Sequence, residues 1–266
     1  MRFVGRFDEF DATKFTYTYK MRLPLPPGRY NCVVWGGLNP DHYYGCMQGE
    51  EKDTASMPVV STTALEDMLI RIDCEVEQLG GTTNHNVDYM PTPLFYGNSM
   101  NLDLDASSGE QVVVIDLMKN SNQIRVNIEG LDMLLSRANP YPGIDFRLSS
   151  PNGAYGFHNE FETNCRTYTY LPQDMTRAGG KLTMDFHTLR MLFDNGHAFT
   201  INDSRGDALF SADLLEDYIR KVEQYSTQQA VDEEDFFEIN ISINSNLGVS
   251  VTVNGWDVTG KGSEIQ

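Results

Sequence analysis

The stretch "GVSVTVNGWDV", residues 248–258, alternates Val249, Val251 and Val253 with Ser250 and Thr252 until Asn254-Gly255 interrupts and Trp256 follows. An apolar residue at every second position marks a strand with one buried face. Asn-Gly between alternating segments is the strongest short hairpin signal. Only Trp256-Asp257-Val258 remain before "TGKGSEIQ" turns loop-like. Two geometries stay open: a hairpin with a three-residue return, or a kink that swings Trp256 onto the sheet beside the valines.

The same period recurs along the chain. In "KFTYTYKMRL" (14–23) Phe15, Tyr17, Tyr19 and Met21 share one face, and Pro26-Pro27-Gly28 then turns into a strand from Tyr30 to Trp35, ended by Gly36-Gly37. Further strands are expected at 111–119, 122–130, 143–150, 166–172, 181–193, 197–203 and 237–244, with turns at Asn120-Ser121, Ser150-Pro151-Asn152-Gly153, Gly179-Gly180 and Asn195-Gly196. Many strands at short intervals point to sandwiches or barrels. One helix is expected over 211–225, with Ser211 as its cap and Leu214, Leu215, Tyr218, Ile219, Val222 and Tyr225 as its apolar stripe. A weaker pattern at 62–76 reads as a short helix leading into a strand. The polar, acidic stretch 97–110 is the candidate boundary between domains at 1–107 and 108–266.

With 38 acidic and 20 basic residues the formal net charge is −18, which repels nucleic acid and anionic lipid. No apolar run approaches the roughly 20 residues of a membrane helix. No secretion signal opens the chain as given, which taken literally means cytoplasm. Cys32, Cys46, Cys74 and Cys165 are widely separated and form no Cys-x-x-Cys pair, so zinc and thioredoxin-like chemistry are disfavoured. Idle thiols and disulfides both remain open. His42, His85, His158, His187 and His197 fall in no zinc-hydrolase spacing, and there is no nucleophile elbow, phosphate loop or dinucleotide fingerprint. The acid run Asp232–Glu238 lacks the spacing and glycine of a calcium loop. Arg205-Gly206-Asp207 falls between two strand-like pieces; integrins recognise this tripeptide on hairpin tips, but its composition is what a tight turn requires anyway. No catalytic residue, metal or cofactor is therefore assigned, and no enzyme is expected.

Several segments match a known family in order. "PPGRYNCVVWGGL" (26–38), "TPLFYGN" (92–98), "LMKNSNQIRVNIEGL" (117–131), "LLEDYIRKV" (214–222), "VDEEDFFEINISI" (231–243) and "VSVTVNGWDV" (249–258) resemble the FimB-like, fimbrillin-associated anchor proteins of Bacteroides-type bacteria. The resemblance implies a mostly β chain of two transthyretin-like sandwich domains in tandem, with the 211–225 helix packed on the second. It implies a non-enzymatic role at the outer membrane, anchoring or assembling a fimbria through strand-mediated contacts with shaft subunits. It also favours Trp256 as a ring closing the core of the second domain, with Trp35 structural in the first.

The resemblance implies a signal, a lipidated cysteine and further strands at the start, and the sequence as given, which opens on "MRFVGRF", is expected to be missing them. The first sandwich is therefore expected to be incomplete, with an unpaired edge beside Arg2–Phe7 or Phe15–Arg22, open to another chain. The alternative is a tip adhesin or glycan-binding module, for which Tyr43, Tyr44 or Tyr155 should line an exposed patch.

Overall fold

The computed structural model describes residues 4–9, 19–56, 59, 63–79, 81–107, 109–135, 143–162 and 166–258. Up to residue 107 the strands are β1 (Gly28–Gly36), β2 (Tyr43–Met47), β3 (Met68–Ile72), β4 (Glu75–Leu79), β5 (Thr82–Val87) and β6 (Phe95–Leu104). Beyond it follow β7 (Met118–Lys119), β8 (Ser121–Glu129), β9 (Asp145–Ser150), β10 (Ala154–Tyr155), β11 (Tyr168–Tyr170) and β12 (Asp174–Ala178). The last six are β13 (Lys181–Leu189), β14 (Ala198–Asn202), β15 (Ala208–Asp213), β16 (Phe236–Ile243), β17 (Val249–Val253) and β18 (Trp256–Asp257). They form sheets ordered β1-β6-β7, β10-β3-β2, β15-β14-β9-β11-β5-β4 and β12-β13-β8-β16-β17-β18. The protein is mostly β, as the alternation requires.

Alternation also fixes which face is buried. Ile124, Val126 and Ile128 of β8 lie inward, in register with Phe237, Ile239 and Ile241 of the parallel neighbour β16. Phe186, Met184 and Leu182 of β13 continue that layer on the antiparallel side. The facing layer comes from Phe146 and Leu148 of β9 and Phe199 and Ile201 of β14, and the two sheets meet where Phe186 and Phe199 stack edge to face at 6.0 Å. A one-residue slip in any of these ladders would turn the apolar set outward.

The expected 211–225 helix takes another form. Ser211 is paired in β15 with Thr200, and Asp213 is the cap instead, its carboxylate accepting from the Leu215 and Glu216 amides at 3.0 Å. A π-type turn (Leu214–Tyr218) and two 3-10 turns (Ile219–Lys221 and Glu223–Tyr225) follow, with Val222 in extended backbone between the latter. All six stripe residues are nonetheless buried. The apolar spacing was a true burial signal, but the backbone leaves the helical path at Val222, whose φ of −78° and ψ of 125° are extended. The regular helices are short, α1 (Leu131–Leu135) and α2 (Gln228–Asp232). At 63–76 the described chain has one 3-10 turn, Leu65–Asp67, leading into β3.

Other expectations shift. Stretch 97–110 is not all loop, because β6 runs to Leu104, paired with Gly28. Of the strand expected at 111–119, only Met118–Lys119 joins a ladder. Trp256 does not close the core: Asn254-Gly255 makes a tight hairpin, Val253 pairs with Trp256, and the ring is 58% exposed. Val258, packed against the core and bonded to the Val251 carbonyl, seals that end instead.

His197, at the start of β14's approach, is buried at 1% exposure. Its Nδ1 lies 2.8 Å from the Ser150 hydroxyl, and its Nε2 lies 2.9 Å from the Leu192 carbonyl and 3.1 Å from the Leu192 amide nitrogen. Burial pushes its pKa down, opposed by the Leu192 hydrogen bond and by Asp213 and Glu216. Its unfolded pKa, about 6.5, therefore exceeds the folded one, and the stability it contributes is present above that pH and lost as pH falls below it. Thermal midpoints measured from pH 7.5 to 5 should drop, and His197→Gln should flatten part of the fall. An unchanged slope in the variant would remove His197 from the explanation.

Candidate functional site

The β1-β6-β7 sheet stands apart from the well-packed sheets. No residue of β1 is buried, and β1 has a ladder partner on its β6 side alone among the described residues. The described parts of the expected open-edge segments, 4–7 and 19–22, join no ladder; residues 2, 3 and 15–18 lie outside the described residues.

Beside this sheet runs Gln111–Leu117. Asp116, Ile115 and Leu117 lie directly over Gly97 of β6: a Cβ there would come within 2.6 Å of the Asp116 carbonyl and 2.7 Å of Leu117 Cδ2. Leu117 also reaches Gly36 across the pair of strands, 3.5 Å from where its Cβ would stand. Gly97 thus leaves the space that lets the segment lie on the sheet. Upstream, the apolar side chains have nothing to cover them. Val112 and Val114 are 75% and 79% exposed, and Val113 and Leu117 are also exposed. Among the described residues no backbone hydrogen bond ties 111–117 to another segment. Arg22 pairs with Glu110 at 3.2 Å, which brings exposed Met21 and Leu23 near the start of this run. Exposed apolar residues in one run, next to a sheet with an open edge, are what an interaction surface requires.

The residues singled out from sequence fall elsewhere. Arg205-Gly206-Asp207 is the turn between β14 and β15, with Gly206 at φ +87° and both charged side chains exposed. Asp203 organises it, accepting from the Arg205 and Asp207 amides at 2.8 and 3.0 Å. The Arg205 guanidinium folds back to Asp203 at 3.1 Å and Asp207 at 3.5 Å, so the tripeptide is closed on itself, as a turn. Trp35 is half-buried against Tyr96 at 5.0 Å and Tyr155 at 6.0 Å. The aromatic patch a glycan reading needs is not formed by Tyr43 and Tyr155, both buried, while Tyr44 is half-buried. Cys32, Cys46 and Cys74 are free thiols and Cys165 lies outside the described residues. Burial pushes the Cys46 and Cys74 thiols up to about 11, which keeps them protonated and unreactive at neutral pH.

The exposed valines could have been suspected from sequence. "VVVI" has no polar alternate, and such a run is either buried on both faces or left uncovered.

Among the described residues no group of three or more His, Cys, Asp or Glu is placed to hold a metal, and no helix is long and apolar enough to cross a membrane. These features define a mostly β protein with one sheet open at its edge among the described residues. The chain belongs to the family of fimbrillin-A associated anchor proteins Mfa1 and Mfa2, whose model matches residues 6–260. It is thus a fimbria-associated surface protein.

Solved structures agree on the fold. A Bacteroides thetaiotaomicron protein provisionally described as polysaccharide-binding superposes with a TM-score of 0.71 at 18% identity, covering 91% of this chain and 80% of that one. The fimbrial anchor protein Mfa2 from Porphyromonas gingivalis gives 0.60 at 18% identity, covering 88% and 77%. A Bacteroides ovatus protein provisionally described as an adhesin gives 0.62 at 18%, covering 88% and 76%. No curated protein matches the chain.

Proposed function

We propose that this protein anchors or helps assemble a fimbria at the outer membrane, holding a shaft subunit by strand pairing at the β1-β6-β7 sheet and its 111–117 flank. The reading includes two tandem transthyretin-like units divided near 107/108, with β1 and β6 of the first and the 111–117 flank and β7 of the second together supplying the contact. The observation that carries it is the run of exposed Val112, Val113, Val114 and Leu117 leading into β7, the edge of the sheet opposite β1, which is paired only with β6 among the described residues. A partner strand laid there would bury these side chains and gain backbone hydrogen bonds, the usual chemistry of strand addition. Asp103, Asp105, Glu110 and Asp116 outnumber Arg22 and Arg29, which pair with Glu110 and Asp103, and this acidic surplus favours a partner strand with basic flanks.

The test is a pull-down and affinity measurement with the shaft subunit, using Val112→Asp/Val114→Asp. Both positions are exposed, so the variant should fold and yet lose about tenfold or more in affinity, or roughly 1.4 kcal/mol. Equal affinity of parent and variant would move the contact elsewhere. Binding on a glycan array without binding to shaft subunits would replace this reading with that of an adhesin, for which exposed Trp256 is a candidate aromatic platform.

A further inference from the structure

The chain up to residue 107 buries little apolar material of its own: among its described residues only Tyr43, Cys46, Leu69, Ile72, Val87, Leu94 and Tyr96 qualify. Those described side chains are by themselves a small core for a unit of this length. What completes it comes from beyond β9. Residues 151–162 leave the second half and enter the first, where β10 pairs with β3 through Ala154↔Arg71 and Tyr155↔Ile70. The Ile72 amide donates to the Gly153 carbonyl at 2.8 Å. Tyr155, fully buried, reaches Trp35 at 6.0 Å and Phe161 at 5.4 Å, and the Tyr96 hydroxyl donates to the Phe157 carbonyl at 2.7 Å.

Position 153 must be glycine for this path, since a Cβ would stand 2.2 Å from the Tyr168 ring. Charge closes the arrangement. Arg71 of β3, 1% exposed, donates twice from Nη2 to Glu162 at 2.6 and 2.7 Å, and from Nη1 to the Glu50 carbonyl at 2.8 Å. Arg166 pairs with Glu51 at 2.5 Å. The parallel β5–β11 ladder, Tyr168↔His85 to Tyr170↔Val87, adds a second junction.

We infer that the 151–162 segment is a lock: it supplies the core the first half lacks, so the first half has no stable fold of its own and the chain bears load as one unit. This goes beyond the anchoring function and does not depend on it. A pull applied at the β1-β6-β7 sheet would pass through buried side chains and a hydrogen-bonded ion pair rather than through a flexible linker.

The test follows unfolding of the full chain in urea by Trp35 fluorescence, in a Trp256→Phe background, together with circular dichroism of the whole. In the parent the two transitions should coincide. In Tyr155→Ala, and in the milder Glu162→Gln should the first fail to fold, the Trp35 transition should separate and move to lower urea. A Trp35 transition already separate in the parent overturns the proposal. So does one that remains coincident with the rest of the chain in both variants.

Discussion

Glu162→Ala should lower the stability of the protein by about 3–5 kcal/mol, the cost of stripping a buried charge of its partner. Arg71 and Glu162 are 1% and 8% exposed at the side chain, so water cannot replace the lost carboxylate without opening the junction. The Arg71 guanidinium would keep the Glu50 carbonyl and the Tyr44 hydroxyl, with no anion to offset its charge. The prediction is specific to breaking the pair. Removing both charges, as Arg71→Met with Glu162→Leu, should cost far less than the single change, because desolvation of the two ions offsets much of their attraction. A double-mutant cycle from urea unfolding measures the difference. A single-variant loss below about 1 kcal/mol, the range of exposed pairs, would mean that the junction is wet and the pair incidental.

The cycle bears on what sequence alone can reveal. The strands of the second half were legible where their apolar residues share one buried face. In β8, Ile124, Val126 and Ile128 are buried while Gln123 and Arg125 are not, and the pattern shows this directly. Arg71 and Glu162 are 91 positions apart and meet only because β10 is carried back to β3, a connection that leaves no periodic mark. An arginine inside "MLIRI" reads as an outward residue until its partner is known.

The failures at Val112–Val114 and Trp256 have a related cause. Both stretches carry the composition of buried strands, but composition reports what a residue prefers, not whether another chain segment arrives to cover it. At 211–225 the buried set was right and the backbone form wrong. Six stripe positions can be satisfied by successive π and 3-10 turns as well as by an α-helix once the packing surface dictates the path.

Asn152 makes the same point at a position that reads as an ordinary turn. In "SSPNG" it has the composition of a loop, yet it is fully buried. Its amide nitrogen donates to the Leu189 and Arg190 carbonyls at 2.7 and 3.0 Å, and its oxygen accepts from the Tyr170 hydroxyl at 2.8 Å. One side chain thus ties the start of the lock to the end of β13 and to β11. Asn152→Ala should cost about 2–4 kcal/mol, since it leaves buried groups on three residues short of a partner at about 1–3 kcal/mol each, with some relief from Thr188, which also donates to the Leu189 carbonyl. Tyr170→Phe removes only one of the bonds and should cost about 1 kcal/mol. Asn152→Asp distinguishes hydrogen bonding from shape. A carboxylate matches asparagine in size but would face two carbonyl oxygens with no proton to give, so at pH 7 it should be at least as damaging as alanine. If Asn152→Asp unfolds at the same urea concentration as the parent, the side chain is filling space, and its bracket of hydrogen bonds contributes nothing that the fold needs.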